Sequence, residues 1–190
     1  MLLAVRSSSP EEDQASASFA GGYETKLGVP VDRIEQALRF CFASALDERV
    51  FHYKREHGFD VLTPRLAVVI QEMIASEVAG VGFSLNPLTN DYDEAVIDAN
   101  WGFGESVVAG RVTPDHFVLD KVTGKLIQKE LGAKQISIWL DPAGGIVEKE
   151  AYKSLELTLN EAQLGEIEAM LCRIETLFGN PVDIEWAYAD

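Results

Sequence analysis

Apolar and polar positions alternate along most of this chain, and each change of period marks an element. Leu2 to Arg6 reads as a short strand, and a polar segment from Ser7 to Ala17 follows it. Gly21-Gly22 opens a second strand, Tyr23 to Leu27. Pro30 suits the entry of a helix, where its missing N–H is harmless. Val31, Ile34, Leu38, Cys41, Phe42 and Ala45 then recur at three- and four-residue spacing. That spacing predicts one helix with a single apolar face, running to about Glu56 and ended by Gly58.

Arg65 to Gln71 is nearly unbroken apolar sequence rich in β-branched residues, which predicts a strand buried on both faces. Gly80 to Leu85 and Ala95 to Ala99 are further strands. Phe117 to Asp120 and Lys125 to Lys129 flank a hairpin turn at Thr123-Gly124. Ile136 to Leu140 and Ile146 to Glu150 flank a second turn, Asp141-Pro142-Ala143-Gly144-Gly145. A strong helix follows, capped by Asn160 with Gln163 as the capping-box partner and stopped by Gly179-Asn180-Pro181. Its buried stripe is Leu164, Ile167, Leu171, Ile174 and Phe178. In the last strand, Val182 to Tyr188, apolar Val182, Ile184 and Trp186 alternate with Asp183, Glu185 and Ala187. The expected fold class is α+β, with many strands in mixed sheets and two principal helices.

Composition narrows the function classes. At 190 residues, with 47% apolar and 25% charged residues, the chain matches an ordinary soluble protein of one or two domains. A net charge of −15 argues against nucleic acid, whose phosphates need clustered Lys and Arg, but says nothing against a single nucleotide. No apolar run approaches the roughly 20 residues of a membrane span, and the first residues lack a secretory signal. Cys41 and Cys172 read as two buried free thiols, which with these features points to the cytoplasm. His52, His57 and His116 show no metal-ligand spacing and read as surface or packing residues. The abrupt start in a strand is that expected of a piece of a longer protein.

Two stretches carry chemistry. Arg6-Ser7-Ser8, followed by Ser18-Phe19-Ala20-Gly21, joins a fixed cation to a small-residue turn whose N–H groups can approach phosphate closely. Asp183-Ile184-Glu185-Trp186-Ala187 places two carboxylates on one face of a strand, roughly 6.5 Å apart, a spacing suited to Mg²⁺ beside a nucleotide.

Several blocks in order resemble the ATP-binding, ATP-grasp domain of the phosphoenolpyruvate synthase and pyruvate phosphate dikinase family, to which rifampicin phosphotransferase is related. They are Ala4 to Ser8, Glu12-Asp13, Ala17 to Gly21, Glu24-Thr25, Val69 to Met73, Gly80 to Phe83 with Asn86-Pro87, Gly102 to Glu105, Pro114-Asp115 and Asp183 to Ala187. The resemblance covers essentially the whole chain and implies that it is a single partial ATP-grasp domain, residues 1–190, with ATP and Mg²⁺ as ligands. Arg6, Gly21 and Thr25 would then line the phosphate site, Gln71 would begin the hinge that receives adenine, and Glu105 would lie near the nucleotide. Glu185 would be the Mg²⁺ ligand, with Asp183 beside it as ligand or supporting carboxylate, and Arg6 and Glu185 would be catalytic.

Without the resemblance the same residues have plainer readings. Arg6 is a surface arginine paired with Glu11, Glu12 or Asp13, and Thr25 is a strand threonine. Gly102 to Gly104 form a tight turn opening a short helix at Glu105, and the two acids lie on a solvated strand face. Departures stand beside the matches: Ser9-Pro10-Glu11 and Gln14-Ala15 differ from the common family wording, and Lys26 does not replace the phosphate-holding lysine of the family's upstream lobe. That lobe, the phosphohistidine domain and the acceptor domain are expected elsewhere in a longer polypeptide, as partners of this one. The implied reaction moves phosphoryl from ATP through phosphohistidine to pyruvate, and this piece alone is expected to be inactive. The alternatives are a rifampicin phosphotransferase-like enzyme, an ATP-grasp ligase forming an acyl phosphate, and a nucleotide-binding module without catalysis.

Overall fold

A computed structural model describes residues 1–10, 13–14, 17–18, 22–63 and 65–189. The chain divides into two units, Met1–Met73 with Leu140–Ile146, and Ile74–Trp139 with Val147–Asp190.

In the first unit the chain forms β1 (Leu2–Ser8), the paired short strands β2 (Asp13–Gln14) and β3 (Ala17–Ser18), and β4 (Thr25–Pro30). A 3₁₀ turn (Val31–Arg33) leads into α1 (Ile34–Ser44), α2 (Glu48–Glu56) and β5 (Ala67–Glu72). β1 is the central strand of a three-stranded antiparallel sheet ordered β4-β1-β5. Its alternate residues Leu3 and Val5 bury with Val29, Ala37 and Cys41, so α1 covers that face. Each such aliphatic side chain contributes about 1.5–3 kcal/mol relative to exposure.

Three expectations are corrected here. The second strand runs from Thr25 to Pro30 rather than from Tyr23 to Leu27, because a bulge opposite Ala4 lets it continue. Gly28 sits in that bulge with φ at 66°, and a Cβ there would lie 2.3 Å from the carbonyl oxygen of Gly145. The Gly145 N–H donates to the Gly28 carbonyl at 2.7 Å. The expected long helix is two helices: it stops at Ser44, and Asp47, with extended backbone, starts the second. Val31 and Phe42 are 53% and 49% exposed, while Ala37 joins the buried face. Finally, β5 is not buried on both faces. It is an edge strand of the described sheet and its residues are mostly exposed, Val68 alone among them packing on the cluster under α1.

The chain continues through β6 (Val78–Phe83), β7 (Glu94–Trp101), α3 (Glu105–Val108), β8 (Asp115–Asp120) and β9 (Lys125–Glu130). Then come β10 (Ile136–Leu140), β11 (Ile146–Glu150), α4 (Glu161–Phe178) and β12 (Asp183–Tyr188). The second unit is built on a five-stranded antiparallel sheet ordered β12-β6-β7-β8-β9, while β10 and β11 pair separately. Both expected hairpin turns are present. In the first, Asp120 Oδ1 accepts the N–H groups of Val122 and Thr123.

The capping box at α4 forms as the sequence predicts, with Asn160 and Gln163 exchanging two hydrogen bonds of 3.0 Å. Leu164, Ile167 and Leu171 pack on Ala95, Ile97, Ala99, Phe117 and Leu119. The expected stripe ends early: Phe178 is 69% exposed, because the helix outruns the cluster it covers. Ile184, Trp186 and Tyr188 of β12 also face that cluster. The described secondary structure is α+β, as expected.

One buried ion pair ties this second unit together. Asp115 opens β8 and is fully buried, as is the side chain of Lys134, whose ammonium reaches Asp115 Oδ1. The same oxygen accepts the Gly132 N–H at 2.8 Å, and Oδ2 accepts Thr158 N–H and Oγ1 at 2.7 and 2.9 Å. Gly132 is required for this wrapping, since a Cβ would lie 2.2 Å from the Pro114 carbonyl oxygen.

Both cysteines are free, but only Cys41 is buried, which corrects the expectation for Cys172. Partial burial, followed by the hydrogen bond to Glu168, still pushes the Cys172 thiol up to about 11. Among the described residues no helix is long and apolar enough to cross a membrane.

Lys134→Met should destabilise the protein by about 3–5 kcal/mol in urea unfolding, because it leaves a buried carboxylate without its cation. Glu148→Gln, which breaks the exposed pair with Arg111, should cost about 1 kcal/mol or less. Equal losses would mean that the hydrogen bonds from Gly132 and Thr158 hold Asp115 unaided.

Candidate functional site

In an antiparallel sheet, residues directly opposite each other share a face, and successive residues along a strand change faces. Applied to the first unit, this places the amino-terminal candidates. Arg6 lies opposite Thr25 on one side and Val69 on the other. Two residues earlier, Ala4 lies opposite Gln71. Arg6, Thr25 and Gln71 therefore share one face, the one opposite α1, and all three are exposed. Among the described residues the Arg6 guanidinium has no hydrogen-bond or ion-pair partner, which leaves its forked donors available to an anion. Lys26 pairs with Val5 and so falls on the α1 face, where its ammonium stands 3.8 Å from the centre of the Phe40 ring. Gly21 lies outside the described residues, as do Glu11 and Glu12.

In the second unit the carboxylates of β12 face away from α4. Asp183 lies opposite Phe83, and Glu185 opposite Val81, and both acids are exposed. Ile184 and Trp186 between and beyond them anchor the other face on the core. The Glu185 row continues across the sheet through Val81 to Asp98, His116 and Glu130.

α3 lies on this same face, one row along. That row consists of Ala187, Ala79 and Asn100. Buried Asn100 donates to Ser106 Oγ at 2.9 Å and to the Ile136 carbonyl at 2.8 Å. A Cβ on Gly104 would meet the Cβ of Ala79 at 3.6 Å, so the helix rests on small residues. Glu105 is the first residue of α3 and is exposed, which agrees with the tight turn and short helix read from Gly102 to Glu105.

Sequence reasoning missed a polar pair on this face. His116 Nδ1 is 2.7 Å from Asp98 Oδ1, and both side chains are about a quarter exposed, at 25% and 24%. Alternation within β7 and β8 assigns each residue to a face, but only the pairing register makes them neighbours. Among the described residues, no group of three or more His, Cys, Asp or Glu could hold a metal ion by itself.

Each sheet thus carries exposed polar side chains on the face opposite its longest packed helix, α1 or α4. Residues 1–190 match the family described as pyruvate phosphate dikinase, AMP/ATP-binding domain, and the chain belongs to that family. It is 42% identical to the "Uncharacterized phosphotransferase YvkC" of Bacillus subtilis (strain 168), over 99% of this chain and 23% of the relative. Identity to the "Phosphoenolpyruvate synthase" of Pyrococcus furiosus is 39%, over 99% of this chain and 24% of the relative. The "Prodigiosin synthesizing transferase PigC" of Serratia marcescens is 38% identical, over 99% of this chain and 21% of the relative. The chain therefore spans about a quarter or less of these curated relatives.

Proposed function

We propose that this chain is the ATP-binding, ATP-grasp part of a phosphotransferase that moves phosphoryl from ATP, through a phosphohistidine on another domain of the same polypeptide, to pyruvate. The observation that carries the proposal is the shared face of Arg6, Thr25 and Gln71 in a chain that matches an AMP/ATP-binding family throughout. A guanidinium and a hydroxyl opposite each other suit phosphate oxygens, and an amide further along the sheet suits a purine edge. Gly21 would add close backbone approach to the phosphates, and Glu105 a polar group near the nucleotide.

Asp183 and Glu185 fit a metal that arrives with its nucleotide. Mg²⁺ keeps several waters and takes one or two carboxylates together with substrate phosphates, rather than a cage made wholly of protein. Two exposed carboxylates on one strand face supply that number of ligands. When bound, the ion would offset charge on the phosphates. Arg6 faces the charge that redistributes as the phosphoryl group departs, so its contact strengthens during reaction. Gln71 touches a base that does not change. The acceptor has a second reading, favoured by the match to a prodigiosin-synthesizing transferase alongside the synthases: an acceptor other than pyruvate, taken by the same ATP-binding part.

Steady-state kinetics on the full-length protein separate these roles. Arg6→Lys should lower kcat and raise the ATP requirement together, because one ammonium cannot reproduce a two-pronged contact. Gln71→Ala should raise KM for ATP with little change in kcat. A silent Arg6→Lys would remove Arg6 from the phosphate site. Glu185→Gln should lower turnover by on the order of 10² while leaving thermal unfolding unchanged, since side-chain size is kept and charge is lost. Wild-type turnover at saturating Mg²⁺ would place the metal elsewhere.

A further inference from the structure

Among the described residues β12 is an edge strand, held on one side, by β6. A slip of one residue in its pairing would turn Asp183 and Glu185 toward α4 and expose Ile184 and Trp186. Something must fix where the strand begins, and the local hydrogen bonds show an unusual arrangement there.

The first laddered pair of β12 is Asp183 with Phe83. One step further out, Ser84 N–H donates to the Val182 carbonyl at 2.9 Å, as an antiparallel pair requires. The reciprocal bond is different. Val182 N–H donates to Ser84 Oγ at 2.8 Å instead of to the Ser84 carbonyl. That carbonyl accepts the ammonium of Lys121 at 2.7 Å. The same ammonium binds the Tyr92 carbonyl at 2.8 Å and Glu175 of α4 at 2.7 Å. Ser84 is fully buried and the Lys121 side chain is 12% exposed, so no surface water replaces these contacts readily. A serine hydroxyl thus stands in for a backbone carbonyl, and the freed carbonyl joins a lysine that also grips the helix leading into β12.

We propose that Ser84 is a positioning residue for the β12 carboxylates: its hydroxyl, standing in for the carbonyl that Lys121 engages, sets the start of the strand and holds Asp183, and through it Glu185, on the face where the nucleotide-bound metal sits. The inference rests on the metal reading of Glu185 given above. Neither residue touches nucleotide or metal; they act through Val182 and the strand that follows. Ser84→Ala would remove the acceptor of the part-buried Val182 N–H, while the Lys121 ammonium still competes for the Ser84 carbonyl. The strand should fray at the Asp183 end first.

The test uses the full-length protein with a non-hydrolysable ATP analogue, titrated with Mn²⁺ and followed by the electron paramagnetic resonance of the free ion. Thermal unfolding without metal is measured in parallel. Ser84→Ala should weaken Mn²⁺ binding about tenfold. The double variant Ser84→Ala/Lys121→Met should recover to within about threefold of wild type, because the Ser84 carbonyl is released to take the Val182 N–H. It should also unfold at a lower temperature than Ser84→Ala, since Glu175 loses its partner. Metal affinity and stability would then move in opposite directions, which a purely structural role does not produce. If Ser84→Ala does not fold, Ser84→Cys, which keeps a weak acceptor at the same position, takes its place, and weaker Mn²⁺ binding at an unchanged unfolding temperature supports the proposal. Unchanged Mn²⁺ affinity in Ser84→Ala, or a double variant that binds Mn²⁺ no better than the single one, overturns it. Glu185→Gln in the same titration separates the two levels. If it binds Mn²⁺ like wild type, the metal reading fails and this inference with it; if it does not, a silent Ser84→Ala defeats the positioning role alone.

Discussion

Asp115 accepts four donors from two other stretches of chain, and the second unit depends on that convergence. The Lys134 ammonium, the Gly132 N–H and both Thr158 donors end on one buried carboxylate. Asp115 opens β8, the segment around Lys134 follows β9, and Thr158 lies just before the α4 cap. An unpaired charge in such a place costs several kcal/mol, so the three segments must come together or none is stable there. With β8 and α4 fixed, the sheet has one face committed to Leu164, Ile167 and Leu171. The other face carries α3 on its small residues and, a row away, the polar residues. The position of Asp183 and Glu185 away from α4 is a consequence of that division.

The first unit reaches the same division by apolar burial instead. Leu3 and Val5 lie against α1, and Arg6 must then point the other way. Because β4 and β5 pair with β1 in fixed register, Thr25 and Gln71 follow Arg6 to the same side. Strands too distant in sequence to be linked by local pattern thus acquire a shared polar face. The bulge at Gly28 helps: it absorbs one residue between Thr25 and Val29, so that both keep partners on β1.

Much of this was legible in the residues, because the signals are local. The α4 cap needs only Asn160 and Gln163, and the hairpin turns need only their glycines and aspartates. The faces of β12 follow from alternation between Ile184, Trp186 and the acids. What could not be read depends on register and on neighbours. The apolar run ending at Gln71 looks like a buried strand, yet burial depends on what packs against it. Phe178 continues a helical stripe that periodicity extends past the cluster it serves. Among candidate site residues, Arg6, Thr25 and Gln71 carry ordinary strand chemistry individually, and family wording rather than spacing singled them out. Asp98 with His116, and Ser84 with Lys121, remained hidden because no local pattern joins residues that only sheet pairing or tertiary folding brings together. Pro114-Asp115 was visible as a motif, but its role was not, since Lys134 and Thr158 lie 19 and 43 residues away.

The central claim is that the face of the first sheet opposite α1 receives ATP. A crystal structure of the full-length protein with Mg²⁺ and a non-hydrolysable ATP analogue tests it most directly. The account predicts the Arg6 guanidinium and Thr25 hydroxyl within hydrogen-bond distance of phosphate oxygens, about 2.7–3.2 Å, and Gln71 at the adenine edge. A nucleotide bound on the α1 side of that sheet, or one that leaves Arg6 and Gln71 without contact, would contradict it.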